Sequence, residues 1–223
     1  MCSPSATGRR VATPTIRASL GSSVCGMAAC TTTLRRTTAM YGRYVKGDNV
    51  VTMYTFTRTW AMPNADTFSV KPIGNFVQKY LHGVSVDPFA RNSGLATWTN
   101  DLNPQTCAQY HMDAVEFLEK LVSEGIRVDV VLFDPPYSPR QISECFTAAG
   151  KKAGMVDTQN AALYAKCRTA IRKICKRGSL VLSFGWNSCG MGPGWEIEEI
   201  MLVAHGGAHN DTICMAERRY YEE

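Results

Sequence analysis

Apolar positions along this chain fall into short unbroken runs and into stripes at helical spacing, which together predict an α/β fold. The clearest run is residues 130–133 (VVLF), short and apolar on both faces, as expected of the central strand of a parallel sheet. Residues 84–86 and 95–102 predict two further strands, and 180–184 predicts a second buried one. Runs at 197–205 and 212–217 flank GGAHND and predict an antiparallel hairpin. Residues 48–59 alternate loosely, as an edge strand or an extended lead-in would.

Helical stripes separate these runs. Ile73, Phe76, Val77 and Tyr80 predict a helix over 72–81 with Pro72 at its start. Ala114, Val115, Phe117, Leu118, Leu121 and Val122 predict another, with Asp113 as N-cap, Glu116 completing a capping box and Gly125 at the end. Ser138 and Pro139 open a third helix over 139–149, which brings Gln141 and Glu144 near residues 134–137. A fourth, over 159–177 and closed by Gly178, exposes Arg168, Arg172, Lys173, Lys176 and Arg177. The intervening residues 150–157 read as a flexible, basic loop. A parallel crossover normally needs a dozen or more residues. The stretches after residue 86 and after residue 102 are too short for one, so this end of the sheet is expected to lack helices on one face.

Run 130–133 leads directly into Asp134-Pro135-Pro136-Tyr137. Two prolines cannot continue a central strand, because they lack ladder N–H groups and fix φ. The chain must leave the sheet there, setting a carboxylate, rigid carbonyls and a ring at the carboxyl end of a strand, where α/β sheets bind ligands. The stretches VDPFARNS, FDPPYSPRQISECF, LSFGWNSCGMG and LVAHGGAHNDTIC extend the motif. From about Trp60 onward the chain resembles the small phage-type DNA adenine-N6 methyltransferases.

The resemblance implies a Rossmann-like methyltransferase fold, a mostly parallel sheet ending in an antiparallel hairpin, with S-adenosylmethionine as cofactor. It implies that Asp134, Pro135, Pro136 and Tyr137 are catalytic. Asp134 and the Pro135 carbonyl would accept the N–H groups of the target amine, and Tyr137 would stack on the base. Ser138, Arg140, Trp186 and Asn187 would meet the substrate. The cofactor would be met by Trp60, Phe68 and Lys71, by Asp87, Pro88, Phe89, Ala90 and Asn92 of the first loop, and by Asp101, Asp113 and Asp134. Trp60 and Phe68 are equally readable as core aromatics, and Asp113 as a cap alone. Arg91 departs from the family, standing where glycine is usual. Cytosine N4 or an RNA base as acceptor, and a SAM- or DNA-binding relative without activity, remain open alternatives.

Composition narrows this further. With 223 residues and 45% apolar content the chain can build a substantial single core. It contains no run of 18 apolar residues, which points away from a membrane. Its nine cysteines form no CxxC pair or Cys/His cluster, so reduced thiols in the cytoplasm are expected, and no metal. The net charge of +5 is uneven. Residues 1–47 hold seven basic residues and no acid, which leaves −2 for the rest. That arm is readable as a disordered extension, a DNA-backbone grip or a transit peptide, with a domain over 48–223 and Met40 or Met53 as alternative starts. DNA with a flipped target base is the expected partner. Recognition would come from short loops such as 150–158 and 187–194 or from a second subunit, and a dimer is left open.

Overall fold

A computed structural model describes residues 38–46, 50–152, 154, 159–188 and 190–221. Eight strands form one sheet in the order β1-β2-β7-β8-β6-β5-β3-β4. They are β1 (Thr38–Lys46), β2 (Val50–Trp60), β3 (Ser85–Asp87), β4 (Trp98–Thr99), β5 (Val128–Phe133), β6 (Cys175–Gly185), β7 (Trp195–Ala204) and β8 (Thr212–Arg219). The pairings β2–β7, β3–β4, β3–β5 and β5–β6 are parallel, and β8 runs antiparallel between β6 and β7. This is the Rossmann-like, mostly parallel sheet with a C-terminal antiparallel hairpin that the sequence predicts.

Helices cover both faces. α2 (Ala114–Ser123) and α4 (Asn160–Ile174) bury Phe117, Leu118, Leu121 and Ile171 against Val131 and Val181. α1 (Lys71–Tyr80) buries Ile73, Phe76 and Val77 against Val130, Leu132 and Leu182 on the other face. The alternation of Val130, Val131, Leu132 and Phe133 between these two layers explains why β5 is apolar throughout. α3 (Pro139–Ala148) starts where Ser138 accepts from the Gln141 N–H at 3.2 Å. No described helix is long and apolar enough to cross a membrane.

Several sequence expectations need correction. The folded part does not begin near residue 48. β1 pairs antiparallel with β2 from Thr38 to Lys46, and β2 is therefore an interior strand. The rest of the basic arm, residues 1–37 and 47, lies outside the described residues. So do residues 153 and 155–157 of the 150–157 loop.

The strand expected over 95–102 shrinks to two residues. Asn100 takes over from it, donating to Pro88 O at 3.1 Å and Met112 O at 3.0 Å and accepting from Met112 N at 3.1 Å. A single parallel bridge, Asn100 to Tyr110, then stands in for the next strand. Both connections lack helices, as the shortage of residues requires.

α4 stops at Ile174, not 177, and Gly178 lies inside β6 with φ +89°. Cationic side chains satisfy carbonyls at this helix end. Arg219 Nη1 donates to Arg172 O and to Cys175 O, and Arg127 Nη1 donates to Lys173 O. Arg172 and Arg168 are accordingly half-buried and not on a solvated face. Arg172 donates to Pro193 O at 2.9 Å and also to Met191 O.

Asp113 caps α2 as predicted, accepting from Val115 N at 2.8 Å and Glu116 N at 3.3 Å. Asp113→Ala is expected to cost about 1 kcal/mol, lowering the melting temperature by roughly 2–4 °C for a domain of this size. Calorimetric melting of both proteins checks this, and an unchanged midpoint would remove the capping role.

Candidate functional site

The carboxyl ends of β3, β4 and β5 and the first turns of α2 and α3 border a cavity of about 620 Å³. Pro88, Phe89, Asp101 and Asp113 line it, joined by Asn100 and Pro136. Apolar walls come from Leu102, Ala114, Ile142 and Leu163, and Glu116 and Glu119 add carboxylates at one side.

Asp87 ends β3 and is wholly buried. Its Oδ1 accepts from Phe89 N at 3.0 Å, while Oδ2 has no protein partner. Burial pushes this carboxyl well above the usual range, Phe89 N–H opposes the shift, and the negative Asp134 and Asp101 add to it. A buried, unpaired carboxylate oxygen is costly and needs a cationic or strong N–H donor.

The turn after Asp87 is held from beneath. Ala90 N donates to Asn100 O at 2.8 Å, Arg91 N to Asp101 Oδ2 at 3.1 Å, and Asn103 N to Asp101 Oδ1 at 2.8 Å. Arg91 has φ +51°, the left-handed value for which glycine is usual. Ala90 is buried in the turn, and the Asn92 side chain accepts from Cys107 N at 3.1 Å. These two shape the loop and are not among the lining residues.

Beside the cavity, at the end of β5, lies the 134–137 turn. The Tyr137 hydroxyl donates to Asp134 Oδ1, and Tyr137 N donates to Gln141 Oε1 at 2.6 Å. Thr67, in the 67–69 turn that precedes α1, favours the ionised form of Asp134. Tyr164 donates to Pro136 O at 3.2 Å. Burial raises the Asp134 carboxyl, an effect opposed by the Tyr137 hydrogen bond, by Thr67 and by the Arg91 charge. Burial and the adjacent Asp134 also push the Tyr137 phenol far above its ordinary value.

The Tyr137 ring meets Trp186 at 5.5 Å between centroids, inclined 59°. Trp186 and Asn187 follow β6 and are exposed. Arg140 is exposed and paired with Glu144 at 2.8 Å. Ser138 is committed to its cap.

Three residues expected at the cofactor lie elsewhere. Phe68 packs edge-to-face on Phe184 at 5.1 Å, a core role. Trp60 and Lys71 line a separate open groove with Thr57, Thr59, Met62 and Asn75 over β2 and α1. Trp60 is 43% exposed, so it is not a core residue either. Asn100 and Thr67 were missed as site residues. A buried-looking amide next to Asp101 was a signal for Asn100, whereas nothing local marks Thr67.

The loop after β6 is anchored from below as well. Glu217, buried on β8, takes Met191 N with both oxygens at 3.0 and 2.9 Å. A Cβ at Gly190 would collide with that carboxylate. Gly190→Ala is therefore expected to cost about 1–3 kcal/mol, a melting shift of several degrees. An unchanged midpoint would show that the loop can lift off β8.

Among the described residues, no group of three or more His, Cys, Asp or Glu is placed to hold a metal ion. Residues 86–181 match the family described as Conserved hypothetical protein 95. No curated protein matches. Among solved structures, TrmN from Thermus thermophilus is 13% identical with a TM-score of 0.45, over 67% of this chain and 49% of that one. The putative methyltransferase yhhF from Escherichia coli is 10% identical with a TM-score of 0.46, over 81% of this chain and 100% of that one. SMU.776, a putative methyltransferase complexed with SAH, is 10% identical with a TM-score of 0.49, over 80% of this chain and 58% of that one.

Proposed function

We propose that this protein transfers a methyl group from S-adenosylmethionine to the exocyclic N6 of adenine in DNA. The observation that carries the reading is the pairing of the unsatisfied Asp87 Oδ2 on β3 with the rigid Asp134 turn on the adjacent strand β5. The cavity residues fit the cofactor. Asp101 and Asp113 can accept from hydroxyl or amine donors, the apolar walls suit a flat ring, and Asp87, wholly buried next to the lining residues Pro88 and Phe89 and not itself a lining residue, leaves Oδ2 for the ammonium. When bound, the cofactor supplies a methyl group on a positive sulfonium.

An exocyclic amine is a weak nucleophile because its lone pair is delocalised into the ring. Asp134 in its ionised form accepts an amine N–H and offsets the positive charge that develops on nitrogen. Pro135 and Pro136 hold the acceptors in place, so little reorganisation is needed. The rim formed by half-buried Tyr137 and exposed Trp186 offers aromatic faces to a base turned out of its stack.

The test is incubation with methyl-labelled S-adenosylmethionine and either duplex DNA or RNA, followed by nucleoside mass spectrometry. N6-methyladenine in DNA is the expected product. Label in N4-methylcytosine or in RNA would move the acceptor, and no label in any nucleic acid would overturn the reading.

A further inference from the structure

The last turns of α2 and α4, the start of β6 and the end of β8 border a second cavity of about 580 Å³. It lies at the opposite edge of the sheet from Asp134. Arg127 stands just before β5, and the six residues of that strand put about 20 Å between the two edges. Arg127, Arg172, Lys173, Lys176 and Arg219 line the cavity, and among the described residues no Asp or Glu does. Lys176 pairs with Asp129 at 2.6 Å, and the charge of Glu217 acts on Arg172. For Arg127, Lys173 and Arg219 no described carboxylate lies within ion-pair distance.

Arg219 is only 8% exposed. Its Nε donates to Tyr221 O at 2.8 Å, and its Nη1 to Cys175 O at 2.6 Å and to Arg172 O. These acceptors satisfy hydrogen bonds but carry no charge. No described residue accepts from Nη2, and Arg219 lines both this cavity and a neighbouring one of about 490 Å³. A buried guanidinium without a counter-ion is costly. Helix C-termini do attract cations, and both α2 and α4 end here. Each supplies roughly half a negative charge. Against Arg127, Lys173 and Arg219 together, that leaves an excess of roughly two positive charges.

We infer that this cavity binds a small molecule carrying a diphosphate or a longer polyphosphate group. A planar guanidinium fork matches phosphate oxygens in geometry and in charge. The volume suits a small ligand, which typically occupies about 300–1,000 Å³. Val122 and Ile126 add an apolar wall for the uncharged part of such a ligand. The inference is independent of the methyl-transfer reading, because no residue of the 134–137 turn or of the cavity beside it takes part.

The experiment is calorimetric titration of the full chain with inorganic pyrophosphate at fixed ionic strength. One equivalent is expected to bind. Arg127 and Lys173 are exposed, so Arg127→Ala and Lys173→Ala leave the core intact. Each is expected to weaken pyrophosphate about tenfold, as for one lost charged hydrogen bond. Arg219→Lys keeps the charge and loses the fork, and should weaken it at least as much. Melting temperatures confirm that each variant is folded.

Absence of binding, or an affinity unmoved in both alanine variants, would overturn the proposal. A duplex DNA that displaces pyrophosphate at lower concentration would overturn it too, giving the cavity to a nucleic-acid backbone. Glu222 and Glu223 follow Tyr221 in the chain. Pyrophosphate that binds only after Glu222→Gln and Glu223→Gln would make those acids the counter-ion and end the case for an external ligand.

Discussion

Asp134→Ala is expected to reduce methyl transfer by at least about 10²–10³-fold, the scale of losing one preorganised electrostatic group, while cofactor affinity changes little. The separation of effects follows from geometry. Asp134 is engaged by Tyr137 at the end of β5, whereas the unsatisfied oxygen belongs to Asp87 on β3. Tyr137→Ala should have the same signature, because it removes both a face for the base and the hydroxyl that orients the carboxylate. Single-turnover kinetics and calorimetric binding of the cofactor check both variants. A loss of cofactor affinity as large as the loss of turnover would reassign the turn to the cofactor side.

Asp87→Asn is expected to do two opposite things. Cofactor binding should weaken by roughly 10–100-fold, the worth of a buried hydrogen bond to a charged group. The free protein, however, should become more stable at neutral pH. The sign follows from linkage. The folded Asp87 carboxyl titrates well above its ordinary value near 3.8, mainly through burial. The native state therefore binds more protons than the unfolded chain across the interval between the two values. Stability associated with Asp87 is fully present below the ordinary value and is lost as pH rises through the raised one.

An amide carries no such dependence, so Asp87→Asn should flatten that part of the stability–pH curve. It should also raise the neutral-pH melting temperature by roughly 2–4 °C per kcal/mol recovered. At a given excess of cofactor the variant should be stabilised by roughly 1.4–2.7 kcal/mol less than the wild type, the equivalent of a 10–100-fold weaker affinity. Melting scans from pH 4 to 8, with and without cofactor, read all of this. A variant that melts lower at neutral pH while binding normally would show that the carboxylate is already satisfied.

Much of this site was legible because its parts are local. A Pro-Pro break at the end of an apolar run, a Ser-Pro start and an Asp three residues before Glu116 are each decided within a few positions. Asp113 and Ser138 accordingly cap the helices expected of them. What escaped depends on distant pairs. Glu217 matters because Met191 lies over it, and Arg219 because α4 ends beneath it. Trp60 and Lys71 show the converse. A family position can be matched in order along the chain while the side chains open onto a different surface.

The two-residue strand β4 also bears on how molecules meet. Only ten residues separate it from β3, too few for a covering helix, and the bridge from Asn100 to Tyr110 closes its outer side. The border of a sheet is normally a row of open donors and acceptors along which a foreign strand can zip, the usual beginning of edge-to-edge aggregation. Here that row is too brief to register an incoming strand. Crowded copies of this chain would find no ladder to extend on the side where the cavity at the ends of β3, β4 and β5 opens.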